Sequence, residues 1–178
     1  DIGAGRTGTV LLDKNERTVP YPDSTIAEIL RAITPSDLVR YPDQSPLYEK
    51  LSAFLQLSSD NILLSSGSDS GIKILFDTFI SQGDEIVFLD PTYAMINVYS
   101  HMYGCEGRHV SFGENLNLDQ KKLLESISES TKLVIIANPN QPTGTTLDTK
   151  TIEALLSKTA ECEALLVIDE AYIEFADQ

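Results

Sequence analysis

Beyond residue 40 the chain alternates short, β-rich apolar runs with longer stretches whose apolar positions return at helical spacing. The runs predict strands at 61–65 (NILLS), 85–89 (EIVFL), 108–112 (RHVSF), 132–137 (KLVIIA) and 164–169 (ALLVID). The stretches between them predict helices starting near Ser68, Thr92, Leu118 and Asp148; in the last, Ile152, Leu155 and Leu156 share a face. SPLYEKLSAFLQL predicts an earlier helix with Ser45 as N-cap and Pro46 in the first turn. Residues 24–33 form another candidate helix, set off by the Pro- and Asp-containing stretch 34–46.

Strands that alternate with helices build βα units and a largely parallel sheet, so the fold class is α/β. In such sheets ligands lie beyond the carboxyl ends of the strands. The polar residues directly after each apolar run are therefore the candidates for chemistry. The last apolar strand, ALLVID, is followed by only nine residues, EAYIEFADQ, an abrupt end for an α/β sheet.

Charge narrows the partners. Thirteen basic residues against twenty-seven acidic ones leave a net charge of -14 over 178 residues, a field that repels nucleic acid and anionic membrane surfaces. The chain has no run of about eighteen apolar residues, and its N-terminus lacks a basic-then-apolar signal pattern, so cytoplasmic residence is the expectation. Cys105 and Cys162 are too few for a disulfide framework and have no ligand spacing with His101 and His109, so no metal site is expected.

Residues 3–8 read GAGRTG, a literal G-x-G-x-x-G. That fingerprint works only when a buried strand delivers the glycines to a turn and a helix starts there to meet a pyrophosphate. Only Asp1 and Ile2 precede Gly3, and the following TVLLD is β-like. Asp23, at the distance where an acid would take ribose hydroxyls, sits in YPDS beside prolines. An N-terminal arm is the better reading, and the phosphate site belongs elsewhere.

Four strand ends carry the chemistry. After ILL comes SSGSDSGI, where small residues permit a tight turn into a helix whose first amides favour phosphate; a plain serine N-cap is the alternative. After IVFLD comes PTYAMI, where Thr92 can cap the next helix and Tyr93 is either a core residue or an aromatic that stacks on a flat ring. After LVIIA comes NPNQPTG, a rigid loop whose side-chain amides would face the same crevice. After LLVI comes DEAY, where Asp169 is expected to be partly buried and in need of a cationic or donating partner, unless it serves as an N-cap; Tyr172 could reach the same ligand. A helix terminus for phosphate, an aromatic wall and an acid for a ring N–H together fit pyridoxal 5'-phosphate, whose protonated ring is an electron sink.

RYPD, SSGSDSGI, DPTY, NPNQPTG and DEAYIEF, in this order and spacing, resemble the class I/II aminotransferases of PLP fold type I, most of all the histidinol-phosphate aminotransferase branch. The resemblance runs from LLDKNE to DEAYIEF. It implies a three-layer α/β/α large domain, incomplete here over 41–178, preceded by an N-terminal arm and small-domain segment over 1–40. It implies that Ser68 and Asp69 bind the cofactor phosphate, largely through backbone amides, that Tyr93 stacks on the ring, that Asp169 holds the pyridine nitrogen and that Tyr172 hydrogen-bonds the phenolic oxygen. Tyr41, in RYPD, would reach across a homodimer interface to the partner's phosphate, and Asn15 takes the family's Asn-Glu position near the substrate. The substrates implied are a small amino acid, such as histidinol phosphate or an aromatic amino acid, and a 2-oxo acid.

Two departures stand out. The family's Asn-Pro-Thr-Gly is Gln141-Pro142-Thr143-Gly144 here, so the amide on the phenolic oxygen would come from a side chain one methylene longer. The family's Schiff-base lysine, in a Ser-Lys motif past DEAY, has no counterpart: all eight lysines precede Asp169. Such a lysine tethers the cofactor and carries the proton, and losing a general base of that kind costs orders of magnitude in rate. The chain by itself is therefore expected to be inactive, as the N-terminal part of an aminotransferase. A decarboxylase of the same fold, of the threonine-phosphate type, and a non-catalytic remnant acting in dimerisation or binding are the alternatives. An uncovered sheet edge or face would favour association or low stability.

Overall fold

The computed structural model describes residues 15–17 and 19–176. GAGRTG and most of LLDKNE lie outside the described residues. Those described fall into two compact units divided after Leu63.

The N-terminal unit holds two helices, α1 (Asp23–Ala32) and α2 (Ser45–Leu55), and a 3-10 turn at Ser59–Asn61. Both helices were expected, but Ser45 is not the cap of α2. It is the first helical residue and Pro46 follows it; Gln44 is the N-cap and makes no side-chain bond. The carboxylate of Asp43 accepts the Ser45 N–H instead, at 3.0 Å. The strand expected at 61–65 does not form either. Ile62 is extended, at φ -119° and ψ 130°, and accessibility alternates along the segment, yet among the described residues no strand pairs with it. Period-2 patterning reports which way side chains point, whereas a strand also needs a neighbour to complete its ladder.

The C-terminal unit runs α3 (Gly67–Phe79), β1 (Glu85–Asp90), α4 (Ala94–Met102), β2 (Glu106–Ser111), α5 (Gln120–Glu125), β3 (Thr131–Ala137), α6 (Thr149–Glu161) and β4 (Leu165–Asp169). The four strands are parallel, in the order β2-β1-β3-β4. Successive strand residues feed opposite faces, as the pleat requires. Ile86, Phe88, Leu133 and Ile135 pack against Ile72, Phe76 and Ile80 of α3 and its end and against Ile96 and Tyr99 of α4. Val87, Leu89, Val134 and Ile136 pack against Leu123 of α5, Ile127 just beyond it and Leu155 of α6. Helices thus cover both faces, giving the three-layer α/β/α sandwich.

Packing outweighs local preference in these elements. Each apolar side chain taken fully out of water contributes about 1.5–3 kcal/mol, whereas propensity differences among ordinary residues stay below about 0.7 kcal/mol. The six-residue α5 is far too short to persist alone. It is held by fully buried Leu123 and by the Asp119 carboxylate, which accepts the Lys122 N–H at 3.0 Å.

A buried charge closes the amino-terminal end of the sheet. Glu85, at the start of β1, is 7% exposed. It meets Arg108 of β2 at 2.7 Å and accepts the Thr131 hydroxyl at 2.6 Å and the Ser128 hydroxyl at 3.4 Å. Removing one partner of a buried pair leaves a desolvated charge. Arg108 is itself half exposed, so water can partly replace it. Arg108→Met is therefore expected to lower unfolding stability by about 2 kcal/mol in urea titrations. An unchanged midpoint would show that the two hydroxyls suffice.

Candidate functional site

The strand order creates the site. From β1 the chain leaves over one face through α4 to reach β2, then returns over the other face through α5 to β3 on the opposite side of β1. The loops after β1 and β3 therefore part from each other, and the carboxyl ends of these two strands open a crevice. A cleft with about 370 Å³ of open space lies there, lined by Ser68, Tyr93, Ala137, Pro139, Gln141, Asp169, Ala171 and Tyr172. Ser68, Tyr93, Gln141, Asp169 and Tyr172, all expected from strand-end position, meet in this one cleft.

The start of α3 is not a serine cap. Ser66 occupies the N-cap position without a side-chain bond, and the Ser65 hydroxyl donates to the Gly67 carbonyl at 2.9 Å. The first-turn amides, those of Ser68 and Asp69 among them, have no acceptor within their own helix, which makes the terminus receptive to an anion. Gly67 reaches this turn with φ +82°, a backbone conformation that a Cβ would strain. Asp69 contributes no side chain to the cleft wall. Its carboxylate accepts the hydroxyls of Tyr93 at 3.3 Å and Tyr99 at 3.5 Å.

Tyr93 is half-buried at the N-cap of α4. Burial, then the Asp69 charge, pushes its phenol above the ordinary range, so the hydroxyl stays a donor. Thr92 does not cap α4 as expected; its hydroxyl donates to Oδ1 of Asn140 at 2.9 Å.

Only one of the three amides in NPNQPTG faces the crevice. Asn138 Oδ1 accepts the Leu147 N–H at 2.8 Å. The Asn140 side-chain amide donates to the Pro91 carbonyl at 2.9 Å and to the Thr143 hydroxyl at 2.8 Å. Both asparagines are buried, turned into the loop they shape, and Gln141 alone lines the cleft. Asn140 also ties the β3 loop to the β1 loop, a structural role that residue type by itself did not reveal. Gly144, at φ +71°, turns its N–H onto the Asn140 carbonyl at 2.7 Å.

Asp169 ends β4 half-buried. It is not a helix cap: Oδ1 accepts the Ala171 N–H at 3.1 Å, and the 3-10 turn at Ile173–Phe175 has Tyr172 as its N-cap. Among the described residues no cation pairs with Asp169. An acid at a cleft wall with one oxygen committed locally suits a ligand N–H⁺. Tyr41 belongs to the N-terminal unit and its side chain is fully exposed. Among the described residues no group of His, Cys, Asp or Glu could hold a metal ion, and burial raises the Cys105 thiol above its ordinary range. No helix of the described residues is long and apolar enough to cross a membrane.

The family model for aminotransferase class I and II matches residues 7–178, nearly the whole chain. The chain belongs to the class I and II aminotransferases. This family is pyridoxal phosphate-dependent, in line with the resemblance carried by the strand-end motifs. Histidinol-phosphate aminotransferase from Christiangramia forsetii is 38% identical over 143 residues, which cover 79% of this chain and 40% of that protein. Histidinol-phosphate aminotransferase 1 from Archaeoglobus fulgidus is 33% identical over 169 residues, covering 94% and 51%. The crystal structure of histidinol-phosphate aminotransferase from Sinorhizobium meliloti in complex with pyridoxal-5'-phosphate superposes with a TM-score of 0.75 at 26% identity, over 89% of this chain and 42% of that one. The chain thus spans about half the length of the curated relatives it matches, and its fold is that of aminotransferase structures.

Proposed function

We propose that this chain carries the cofactor-binding part of an aminotransferase that moves an amino group between a small amino acid and a 2-oxo acid. The observation that supports it most is the convergence of five residues from four chain segments on one cleft, with a helix terminus that has no side-chain cap and an acid that pairs with no cation among the described residues. The donor set fits pyridoxal 5'-phosphate. The amides at the start of α3 and the Ser68 hydroxyl would take the phosphate, and the Tyr93 ring would wall one side and exclude water. The Gln141 amide and the Tyr172 hydroxyl would donate to the phenolic oxygen. Asp169 would keep the proton on the ring nitrogen. Bound there, the cofactor supplies an electron sink for the pair released at the substrate's α-carbon. Tyr41 would complete a phosphate site across a homodimer. The names of the relatives support histidinol phosphate as the amino donor.

No lysine lines the cleft, so this polypeptide should hold the cofactor without a covalent tether and should not transaminate alone. Titration with pyridoxal 5'-phosphate, borohydride reduction and peptide mapping test this. Saturable binding that inorganic phosphate displaces, with no single lysine labelled stoichiometrically, is expected. Absence of saturable binding, or one fully labelled lysine, overturns the reading. The substrate is tested in the full-length gene product, where histidinol phosphate and a 2-oxo acid should give a new amino acid.

A further inference from the structure

Asp69 is the residue of the α3 terminus whose chemistry does not fit a phosphate site at first sight, because a carboxylate in that turn would repel an anion. Its geometry resolves the conflict. The carboxylate points at α4, where one oxygen, Oδ1, accepts two phenolic hydroxyls from residues 24 and 30 positions away. Tyr99 is 6% exposed, so its hydroxyl needs a partner inside the unit, and Asp69 is the acceptor it has there. Tyr93 is the cleft-wall aromatic.

The two bonds belong to a seam. Asp69, Lys73 and Asp77 lie four residues apart on one face of α3. Opposite them stand Tyr93, Tyr99 and Tyr103: Lys73 pairs with Asp77 at 2.6 Å, and the Tyr103 hydroxyl donates to Asp77. Phe76, fully buried, packs its ring against Tyr99 and Tyr103 at centroid distances of 5.7 and 5.5 Å. The Asp69 end of this seam is the one hydrogen-bonded to a residue of the cleft among the described residues.

We infer that Asp69 is a positioning residue: by holding the hydroxyls of Tyr93 and Tyr99 on one oxygen, its carboxylate fixes the Tyr93 ring as a cleft wall and turns its own charge away from the phosphate-binding amides. This rests on the cofactor reading of the cleft. Two hydroxyl donors also delocalise the charge, so the same side chain can complement the α3 dipole while an anion binds to the amides of the same turn. The raised phenols of Tyr93 and Tyr99 agree with the arrangement. Burial is the first cause at both, followed by Asp69; Tyr172 and Tyr99 add to it at Tyr93, and at Tyr99 Lys73 opposes and Asp77 adds.

Two readouts on the 178-residue chain separate this role from its premise. Without cofactor, spectrophotometric titration of the phenols should show Asp69→Ala moving the Tyr93 transition part of the way down toward its ordinary value, with Tyr93→Phe identifying that component. With pyridoxal 5'-phosphate as the probe, Asp69→Ala should weaken binding roughly threefold to tenfold and diminish the induced circular dichroism of the bound ring. Asp69→Asn keeps an oxygen acceptor and should restore the affinity and the circular dichroism, but not the part of the phenol shift that the Asp69 charge causes. If Asp69→Ala and Asp69→Asn bind the probe as tightly as the parent chain or more tightly, Asp69 acts only as a repelling charge and the inference is overturned. Unchanged phenol titration in Asp69→Ala overturns it without reference to the cofactor. If the parent chain binds no probe while the phenol shift is present, the cofactor reading fails, and the role of Asp69 in it falls too, although the Tyr93–Asp69 clamp stands.

Discussion

Replacing Asp169 with alanine is expected to raise the dissociation constant for pyridoxal 5'-phosphate about tenfold to a hundredfold, because a hydrogen bond to a charged partner contributes about 1.5–3 kcal/mol and each 1.4 kcal/mol is a factor of ten. The structural cost should be small. Asp169 is half-buried at the end of β4, and the bond its side chain accepts among the described residues, from the Ala171 N–H, closes only a local turn. Asp169→Asn preserves that turn and the shape of the side chain but removes the charge that favours a protonated ring nitrogen. It should bind with intermediate affinity and shift the absorption of the bound ring toward its unprotonated form. Calorimetric titration of the three proteins, beside urea unfolding of each, checks the separation of binding from stability. Equal affinities would remove Asp169 from the site. A large loss of stability would make it a structural acid.

How far residue patterns foretold this site depends on the kind of information each feature needs. β1 and β3 were legible because burial on both faces imposes long apolar runs, and Val87 or Ile135 could hardly be read otherwise. The carboxyl ends of β1 and β4 then located Tyr93, Asp169 and Tyr172 without any knowledge of contacts, whereas Ser68 was located from the apolar run at 61–65, with which no strand pairs among the described residues. The segment 61–65 was misread because its alternation is genuine while a pairing neighbour is a property of the fold. β4 shows the converse. Its LLVID is as apolar as the centre of β1 or β3, yet all five residues are only half-buried, since it forms an edge of the described sheet.

The loops resisted for another reason. Asn140 and Gln141 are adjacent, carry the same amide group and lie in a stretch without periodicity, so nothing local says which of them is spent on the protein and which is offered to a ligand. The answer lies with Pro91 and Thr92, nearly fifty residues earlier. Asp69 was legible as part of the turn that opens α3, whereas the direction of its carboxylate depends on Tyr99, thirty residues later. Cleft-lining positions could be found from the residues that follow apolar runs, and their supporting partners required coordinates.

Asn140 is where that hidden support is largest, and Asn140→Asp is expected to destabilise the protein by about 3–4 kcal/mol at neutral pH, combining a buried charge with two lost donor bonds. The change is nearly isosteric. Oδ1 could still accept the Thr92 hydroxyl, but the oxygen replacing Nδ2 would face the Pro91 carbonyl and the Thr143 hydroxyl, at a residue only 3% exposed. Burial and the carbonyl oxygen both disfavour ionisation, so the introduced carboxyl should have a folded pKa above its unfolded value of about 3.9. The sign of the linkage follows: the folded state holds the proton more tightly, so the deficit relative to the parent chain is smallest below about pH 4 and grows as pH rises through the folded pKa. The loops after β1 and β3 should loosen together, because Asn140 joins them, and affinity for pyridoxal 5'-phosphate should fall although the residue itself does not line the cleft. Urea unfolding of both proteins across pH, with cofactor titration at neutral pH, measures both effects. A deficit independent of pH would mean that the introduced carboxyl reaches water, and that the loop is softer than its hydrogen bonds imply.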